Sequence, residues 1–354
     1  MIPAIPMTLQ LHKKEATMNL VMKKLVALVL FTGLTNTYRT VYAGLTNSIP
    51  DPIIAEFIHA TFQGNLESIK TMLDNGIVDV NAQDNDGATA LMHAARNGHL
   101  AIVTELINHG AHVNLQHNSG VTALICAAHH GHSVIVELLL NHSANVNLHD
   151  KNGWTALIRA ADYGHLDTVE LLVQHGAHVN LQNSNGYTAL MCAAENGHLA
   201  VVELLLNHGA HVNLQNYYKQ TALMYAALNG HLAIVTELIN HGAHVNLQHN
   251  SGVTALMYAA HHGHSVIVEL LLNHSANVNL HDKSGWTALI RAAHYGHLDT
   301  VELLVQHGAH VNLQSSNGWT ALAHAKSRGH IATAFFLREI APMVYFSNNS
   351  HLLG

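Results

Sequence analysis

The sequence predicts an all-α fold, an α-solenoid of stacked helix-turn-helix units joined by hairpin-like turns. Two observations support this. A threonine recurs every 33 residues, at positions 89, 122, 155, 188, 221, 254, 287 and 320. Each threonine begins the phrase T-A-L-x-x-A-A-x-x-G-H, which drifts only in the last copy and is followed by L-x-x-H-[GS]-A-x-V-N in most copies. A fixed period with fixed punctuation is typical of a repeat array, whose units bury their apolar surface against their neighbours.

Each unit is predicted to hold two short helices, as residues 86–118 illustrate. The first helix runs roughly from Thr89 to Arg96. The Thr89 hydroxyl can cap its start, and Gly98 ends it because glycine adopts a positive φ at little cost. The second helix runs from about Leu100 to Asn108. Its apolar residues share one face, which predicts burial against neighbouring units: Leu100, Val103, Leu106 and Ile107.

The repeated phrase resembles the ankyrin repeat family over roughly residues 51–341. The matching features are the turn glycine, the threonine, the Ala-Ala pair, Gly-His, the Leu-Leu pair and the closing Gly-Ala-x-Val-Asn. One departure is systematic. The family's T-P-L-H reads T-A-L-M or T-A-L-I, with Ala90 in the proline place and Met92 in the histidine place. The resemblance implies that this histidine normally ties neighbouring repeats by hydrogen bonds, so apolar packing is expected to substitute here.

The unbroken period predicts one repeat domain over residues 51–345, followed by a flexible tail over residues 346–354. A short linker, residues 44–50, precedes it. The first and last repeats depart from the pattern, as expected for end repeats that face water on one side. Nine repeats are predicted, with approximate boundaries 51–85, 86–118, 119–151, 152–184, 185–217, 218–250, 251–283, 284–316 and 317–345.

The N-terminal segment, residues 1–43, has the pattern of a secretory signal peptide. Lys23-Lys24 precedes the apolar run Leu25–Phe31, and Val41-Tyr42-Ala43 has the small-x-small form of a cleavage site. The run is too short to span a bilayer, so no membrane span is expected in the mature protein. Export to a bacterial periplasm or beyond is therefore predicted. A weak anchor or a disordered leader is the alternative, and translation could begin at Met18 or Met22.

Charge and cysteine content narrow the functional classes. Residues 1–43 hold five of the 15 basic and one of the 22 acidic residues, which leaves 10 basic and 21 acidic residues and a formal charge of −11. No basic patch remains, so no nucleic-acid partner is expected. Cys126 and Cys192 occupy equivalent helices two repeats apart. Packed helices lie about 8–10 Å apart, so the Cα atoms of these two cysteines should be farther apart than the roughly 7 Å that a disulfide can bridge. Free thiols are therefore predicted.

No catalytic residue, cofactor site or metal site is predicted, and the protein is not expected to be an enzyme. Most of the 34 histidines occupy repeat-fixed places. A repeat spacing is too large for them to share a tetrahedral zinc ion. The dense groups His129-His130-Gly131-His132 and His261-His262-Gly263-His264 leave metal buffering as a distant alternative. No zinc, phosphate-loop or nucleophile-elbow motif occurs.

Three variable columns carry the candidate partner-binding residues. They are the residue before each threonine, the pair between Ala-Ala and Gly, and one position inside the first helix. These columns are rich in Trp, Tyr and Arg, the residue types that dominate protein interfaces; the alternative is that the aromatic residues only pack the turns. The candidates in these columns are Trp154, Tyr187, Trp286, Trp319, His129, His130, Tyr163, Arg159, Tyr225, Tyr258, His261, His262, Arg291 and Tyr295. Tyr217 and Tyr218, in the turn where Lys219 replaces the glycine, are further candidates for a local contact, with simple sequence drift as the alternative.

Three non-glycine residues stand at glycine places: Ser143 and Ser275 at helix ends, and Lys219 in a turn. A left-handed conformation is expected to cost each roughly 1 kcal/mol. Residues 97–182 also recur at 229–314 with four differences: Ile125/Met257, Cys126/Tyr258, Asn152/Ser284 and Asp162/His294. This internal duplication predicts two nearly identical surface stripes four repeats apart.

The histidine content predicts a response to pH. The Gly-His histidines are expected to be buried and to resist protonation, whereas pairs such as His129-His130 are expected to be exposed. Stability should then fall as the pH drops through the unfolded histidine pKa near 6.5.

These features together predict a monomeric, non-enzymatic scaffold that binds a partner protein along the concave ankyrin surface. The alternatives are a periplasmic metal-buffering or pH-responsive binding protein, or a bacterial effector directed into a host cell if the leader is not a signal peptide.

Overall fold

The computed structural model describes residues 51–349, and these residues confirm the all-α class. They form 18 helices and no strand, with three isolated β-bridges beside the turns. The predicted signal peptide and linker, residues 1–50, lie outside the described residues, as do residues 350–354. Within residues 51–349, no helix is both long and apolar enough to cross a membrane.

The described chain divides into two compact units. The first comprises residues 51–156 and 174–177, and the second residues 157–173 and 178–349. The first unit holds α1 Pro52–Phe62, α2 Leu66–Asp74, α3 Ala90–Asn97, α4 Leu100–Asn108, α5 Ala123–His129 and α6 Ser133–Asn141.

The second unit holds almost all of α7 Ala156–Asp162 and α8 Leu166–Gln174, followed by five further helix pairs. These are α9 Ala189–Asn196, α10 Leu199–Asn207, α11 Ala222–Asn229, α12 Leu232–Asn240, α13 Ala255–His262, α14 Ser265–Asn273, α15 Ala288–Tyr295, α16 Leu298–Gln306, α17 Ala321–Ser327 and α18 Ile331–Asn349. Helix α18 continues past residue 345, because Ala341 stands where the preceding second helices are followed by a glycine such as Gly308.

The ends of the first helices follow from their sequence, as α3 shows. The Thr89 hydroxyl accepts a hydrogen bond from the backbone N–H of Met92, and Gly98 ends the helix at φ 75°. The Ala94-Ala95 pair is completely buried. Because alanine projects so little, the first helices of successive repeats pack closely, as α3 does against α1 and α5. The core of each unit lies along these helices and the apolar faces of the second helices.

The Gly-His histidines tie successive repeats together, which corrects the expectation that apolar packing alone would do so. In the first unit, Nε2 of His132 donates to the carbonyl oxygen of Arg96, 3.1 Å away in the preceding repeat. In the second unit, Nε2 of His231 donates to the carbonyl of Glu195 at 3.1 Å. Each ring lies against the preceding repeat's glycine, where a β-carbon would meet it at 2.8 Å. The glycine therefore leaves room for the histidine ring of the next repeat, and the ring bonds a carbonyl beside that glycine.

A second tie runs between the repeats at the asparagine of Val-Asn. Asn114 donates from Nδ2 to the carbonyl of Ser143 at 3.0 Å and accepts from the backbone N–H of Asn145 at 2.7 Å. Ser143, Lys219 and Ser275 have φ values of 65°, 61° and 64°. The prediction that these three residues adopt the left-handed conformation is confirmed.

Candidate partner-binding surface

The candidate residues lie on the turn face, defined here as the surface that the turns and first helices form in each unit. They differ widely in exposure. Seven are exposed: Tyr163, Tyr217, Tyr218, Tyr295, Trp319, His130 and His262. Eight are half-buried: Trp154, Tyr187, Trp286, His129, Arg159, Tyr258, His261 and Arg291. Tyr225 is only 3% exposed, so the expectation that it presents a surface for a partner is wrong.

The column inside the first helix has a structural task that the sequence analysis missed. A turn side chain contacts the residue nine positions later, in the first helix that follows that turn. The polar pairs are Asp84–His93 at 3.2 Å, Asn216–Tyr225 at 2.9 Å, Ser315–His324 at 3.2 Å and the ion pair Asp282–Arg291. His249 and Tyr258 pack ring to ring. Tyr225 and Arg291 therefore stabilise the turns that precede their helices. Where Cys192 occupies the helix position, Nδ2 of Asn183 is buried without a hydrogen bond.

The second unit carries a cluster of aromatic and imidazole rings, named here the aromatic–histidine cluster. Its members are Trp286, His294, Tyr295, Trp319, His324 and His261. Trp286 lies 5.0 Å from His294 and 4.6 Å from His324, between ring centroids. The ring of Tyr295 lies 4.1 Å from that of His261 and 4.9 Å from that of His294. Tyr295 and Trp319 are 45% and 42% exposed, whereas His324 is buried.

A hydrogen-bond chain holds this cluster in place. Nδ1 of His294 lies 3.2 Å from Nδ1 of His324, and Nε2 of His324 lies 3.2 Å from the hydroxyl of Ser315. The Ser315 hydroxyl donates onward to the side-chain oxygen of Asn317. With both imidazoles neutral, His294 donates to His324, and His324 donates to Ser315. If both rings were protonated, two N–H groups would face each other at Nδ1, so the arrangement disfavours charging both histidines together.

Burial lowers the pKa of the cluster histidines. It is the largest cause for His294 and His324, and the nearby Arg328 guanidinium adds to it. The pKa of His261 falls to about 4, through burial first and then the neighbouring His262. The Gly-His residues were expected to be buried, but those in the described chain are half-buried. The histidines with a lowered pKa are His261, His262, His294 and His324 in the variable columns and His249 in a turn, and burial is the largest cause for each.

A tyrosine network occupies the middle of the same unit. The Tyr225 hydroxyl donates to the hydroxyl of Tyr187 or to the side-chain oxygen of Gln220. Burial raises the pKa of both tyrosines, so they remain protonated at neutral pH. On the neighbouring turn, Tyr217 and Tyr218 are 70% and 61% exposed. The exposed pair precedes Lys219, the residue that replaces the turn glycine.

An acidic pair at the other end of the second unit was not identified from the sequence. Asp162 and Glu195 lie at the ends of first helices in successive repeats, and Nδ2 of Asn196 donates to Asp162 at 3.0 Å. Burial raises the pKa of both carboxyl groups, and the charge of Asp162 raises that of Glu195 further. In the duplicated copy His294 replaces Asp162, so the duplication places an acid in one stripe and an imidazole in the other.

The first unit has its own groove on the turn face. It encloses about 430 Å³ between α1 and the turn at Asp84–Asp86. Ile54, Ile58 and Phe62 line one side, and the two carboxylates and His93 line the other. The thiols are less accessible. Cys126 and Cys192 are both free, and burial raises the pKa of Cys126 to about 11, so neither geometry nor charge activates it.

Comparison with known proteins identifies the class. The family described as ankyrin repeats (3 copies) matches residues 56–117, 106–183, 137–216, 176–249, 223–315 and 275–348. The chain belongs to this family, and the resemblance that the repeated phrase predicted is confirmed. Ankyrin repeats generally form non-enzymatic protein–protein interaction scaffolds, and the helix pairs of both units are those of an ankyrin-repeat α-solenoid.

Individual relatives match over short stretches. The chain is 42% identical over 60 residues to ankyrin repeat domain-containing protein 29 of Homo sapiens, and equally so to that of Danio rerio. It is 44% identical over 52 residues to palmitoyltransferase akr1 of Schizosaccharomyces pombe. These matches cover 17%, 17% and 15% of this chain, and 20%, 20% and 8% of the relatives. The palmitoyltransferase match covers only a stretch of repeats.

Proposed function

We propose that this protein is a non-enzymatic scaffold that binds a partner protein along the concave surface of its turns and first helices. We further propose that the aromatic–histidine cluster of the second unit is the main anchor. The cluster supports this proposal because two large aromatic side chains, Tyr295 and Trp319, are exposed beside rings that are already packed and hydrogen-bonded.

Tyr295 and Trp319 are ordered before any partner binds. Interface hot spots are rich in Trp and Tyr, since these side chains bury a large area with few rotatable bonds. Tyr295 is held between His261 and His294, and Trp319 packs on His324. A partner that covers them therefore loses little side-chain entropy on binding. Neutral histidines beneath them also avoid the desolvation of a charge.

The choice of variant follows from the contacts. Trp286 packs on His294, His324 and the guanidinium of Arg291, so Trp286→Ala would disturb the cluster as well as any interface. Tyr295 and Trp319 are the more exposed rings, and their replacement tests binding with less effect on packing.

Photo-crosslinking in the native organism tests the location of the surface. A photoreactive amino acid replaces Tyr295 in one full-length variant and Val266 in the other. Val266 is a matched control because it is 58% exposed but lies on the second helix α14. A distinct crosslinked protein is expected at Tyr295 and not at Val266. Crosslinking at Val266 alone, or equally at both positions, would contradict the proposed surface.

The proposed setting is outside the bacterial cytosol, on the strength of the leader pattern in residues 1–43. Cleavage after Ala43 would leave Gly44 as the first residue. A partner would then be sought among exported proteins first.

A further inference from the structure

We infer that Asp74, Glu105 and His109 of the first unit form a binding site for a divalent transition-metal ion such as Zn²⁺. Asp74 ends the second helix of the first repeat, Glu105 lies on that of the second repeat, and His109 directly follows it. Their ligand atoms all lie within 4.8 Å of one another. Imidazole nitrogen and carboxylate oxygen are ligands that zinc accepts, commonly three from the protein with water in the remaining position.

The His109 ring is oriented with its Nε2 toward Asp74. Its Nδ1–H donates to the backbone carbonyl of Glu105 at 3.0 Å, which fixes the ring. Its Nε2 lies 3.1 Å from Oδ1 of Asp74. A neutral His109 with this Nδ1–H would direct a lone pair at a carboxylate oxygen. The geometry therefore requires a positive charge between Nε2 and Asp74, supplied either by a proton or by a metal ion.

The second ring nitrogen of His109 has the hydrogen bond that metal-bound histidines make. Metal-bound histidines almost always donate their other ring N–H to a carbonyl or carboxylate, as Nδ1 of His109 does to Glu105. Zinc bonds of about 2.0–2.2 Å place tetrahedral ligand atoms roughly 3.3 Å apart. The distance of 3.1 Å between Nε2 and Asp74 is already close to this value. Asp74 has a side-chain exposure of 64%, so it can adjust.

The repeats provide an internal comparison. The same His-Glu pair recurs in the second unit, where Nδ1 of His241 donates to the carbonyl of Glu237 at 3.0 Å. Asn207 there occupies the place of Asp74 at the end of the preceding second helix. The second unit therefore has the glutamate and the histidine, but asparagine in place of the aspartate.

Competing groups set the conditions of the test. The Glu105 carboxylate lies 3.8 Å from Nζ of Lys70 and 3.4 Å from Nδ1 of His109, so it has to turn toward Nε2 to bind the metal. The Glu105 carbonyl, and then the Asp74 and Glu105 carboxylates, raise the pKa of His109. Mildly alkaline buffer therefore keeps the proton from competing. Other histidines can bind zinc weakly, and a chromophoric chelator in competition hides such weak sites.

The experiment counts tight zinc sites in the full chain by titrating Zn²⁺ against that chelator. The unsubstituted protein is expected to bind one tight ion. Asp74→Asn, which copies the arrangement around Asn207, should weaken this binding at least about tenfold, the lower end of what loss of a supporting residue alone costs a metal site. Asn207→Asp should add a second tight ion.

A thermal measurement gives an independent result. Zinc should raise the unfolding midpoint of the unsubstituted protein by linkage, because the ion joins the first two repeats, and should raise that of Asp74→Asn less at the same zinc concentration. Three results would overturn the assignment: no tight zinc in the unsubstituted protein, equal binding in Asp74→Asn, or a count that stays at one in Asn207→Asp. If the three groups form only a protonated ion-pair network, Asp74→Asn will change stability without any effect of zinc.

Discussion

The contact between the glycine of one repeat and the histidine of the next can be tested with two alanine substitutions in the second unit. Gly197 ends α9 at φ 82°, and a β-carbon there would lie 2.8 Å from Cε1 of His231. Gly209 has φ 83°, with no atom within 4 Å of such a β-carbon. Each alanine pays roughly 1 kcal/mol for the left-handed backbone.

Gly197→Ala carries a second penalty. The β-carbon must displace the His231 ring, which breaks the hydrogen bond to the Glu195 carbonyl. A hydrogen bond of this kind contributes about 0.5–1.5 kcal/mol. We therefore expect Gly197→Ala to lower the free energy of unfolding by about 2 kcal/mol and Gly209→Ala by about 1 kcal/mol.

Urea unfolding and amide hydrogen exchange in α9 and α11 measure these losses globally and locally. The decisive background is His231→Ala, in which the ring is absent. There the cost of Gly197→Ala should fall to that of Gly209→Ala. Equal losses in the presence of His231, or a difference that persists without it, would refute the glycine–histidine pair as a stabilising contact.

Three further predictions address stability, pH and processing. Ser143→Gly should raise the unfolding midpoint, because φ of 65° costs serine roughly 1 kcal/mol more than glycine; a lower midpoint would show that serine makes a compensating bond. Stability should be complete above about pH 6.5 and fall toward pH 5, because the unfolded chain binds protons that His261, His294 and His324 resist in the folded state; unfolding midpoints that do not change with pH would contradict this. The exported protein should begin at Gly44, which its intact mass will show, whereas a full-length product confined to the cytosol would refute the leader assignment.

Local structure could be predicted largely from the sequence. The second helix of the second repeat begins at Leu100 and ends at Asn108 as predicted, and the first begins one residue after its capping threonine. The predicted burial of Leu100 is wrong, because this side chain is 40% exposed and Ile102 is buried instead. Helix ends can be read from the repeated phrase because each depends on a capping residue or glycine within one helical turn of it. The left-handed φ of Lys219 followed from its place in the glycine column in the same way.

Contacts between side chains could not be predicted from the period alone. The repeated phrase shows that histidine follows glycine in eight of the nine units, but not that its ring reaches the preceding repeat. The His294–His324 contact joins residues 30 positions apart and depends on drift in the last repeat. The pairing of turn and helix residues nine positions apart, as in Asn216–Tyr225, recurs at one fixed spacing and includes opposite charges in Asp282–Arg291. This nine-residue spacing was the signal from which the burial of Tyr225 could have been predicted.

The most direct test of the central claim is the affinity of the purified partner for a surface variant. Tyr295→Ala with Trp319→Ala should weaken binding by more than about 2 kcal/mol, roughly 30-fold, as expected for hot-spot residues. Val266→Ala is the control and should bind as the unsubstituted protein does, and circular dichroism should remain helical in both. Unchanged affinity in the double variant, or an equal loss in Val266→Ala, would contradict binding through the aromatic–histidine cluster.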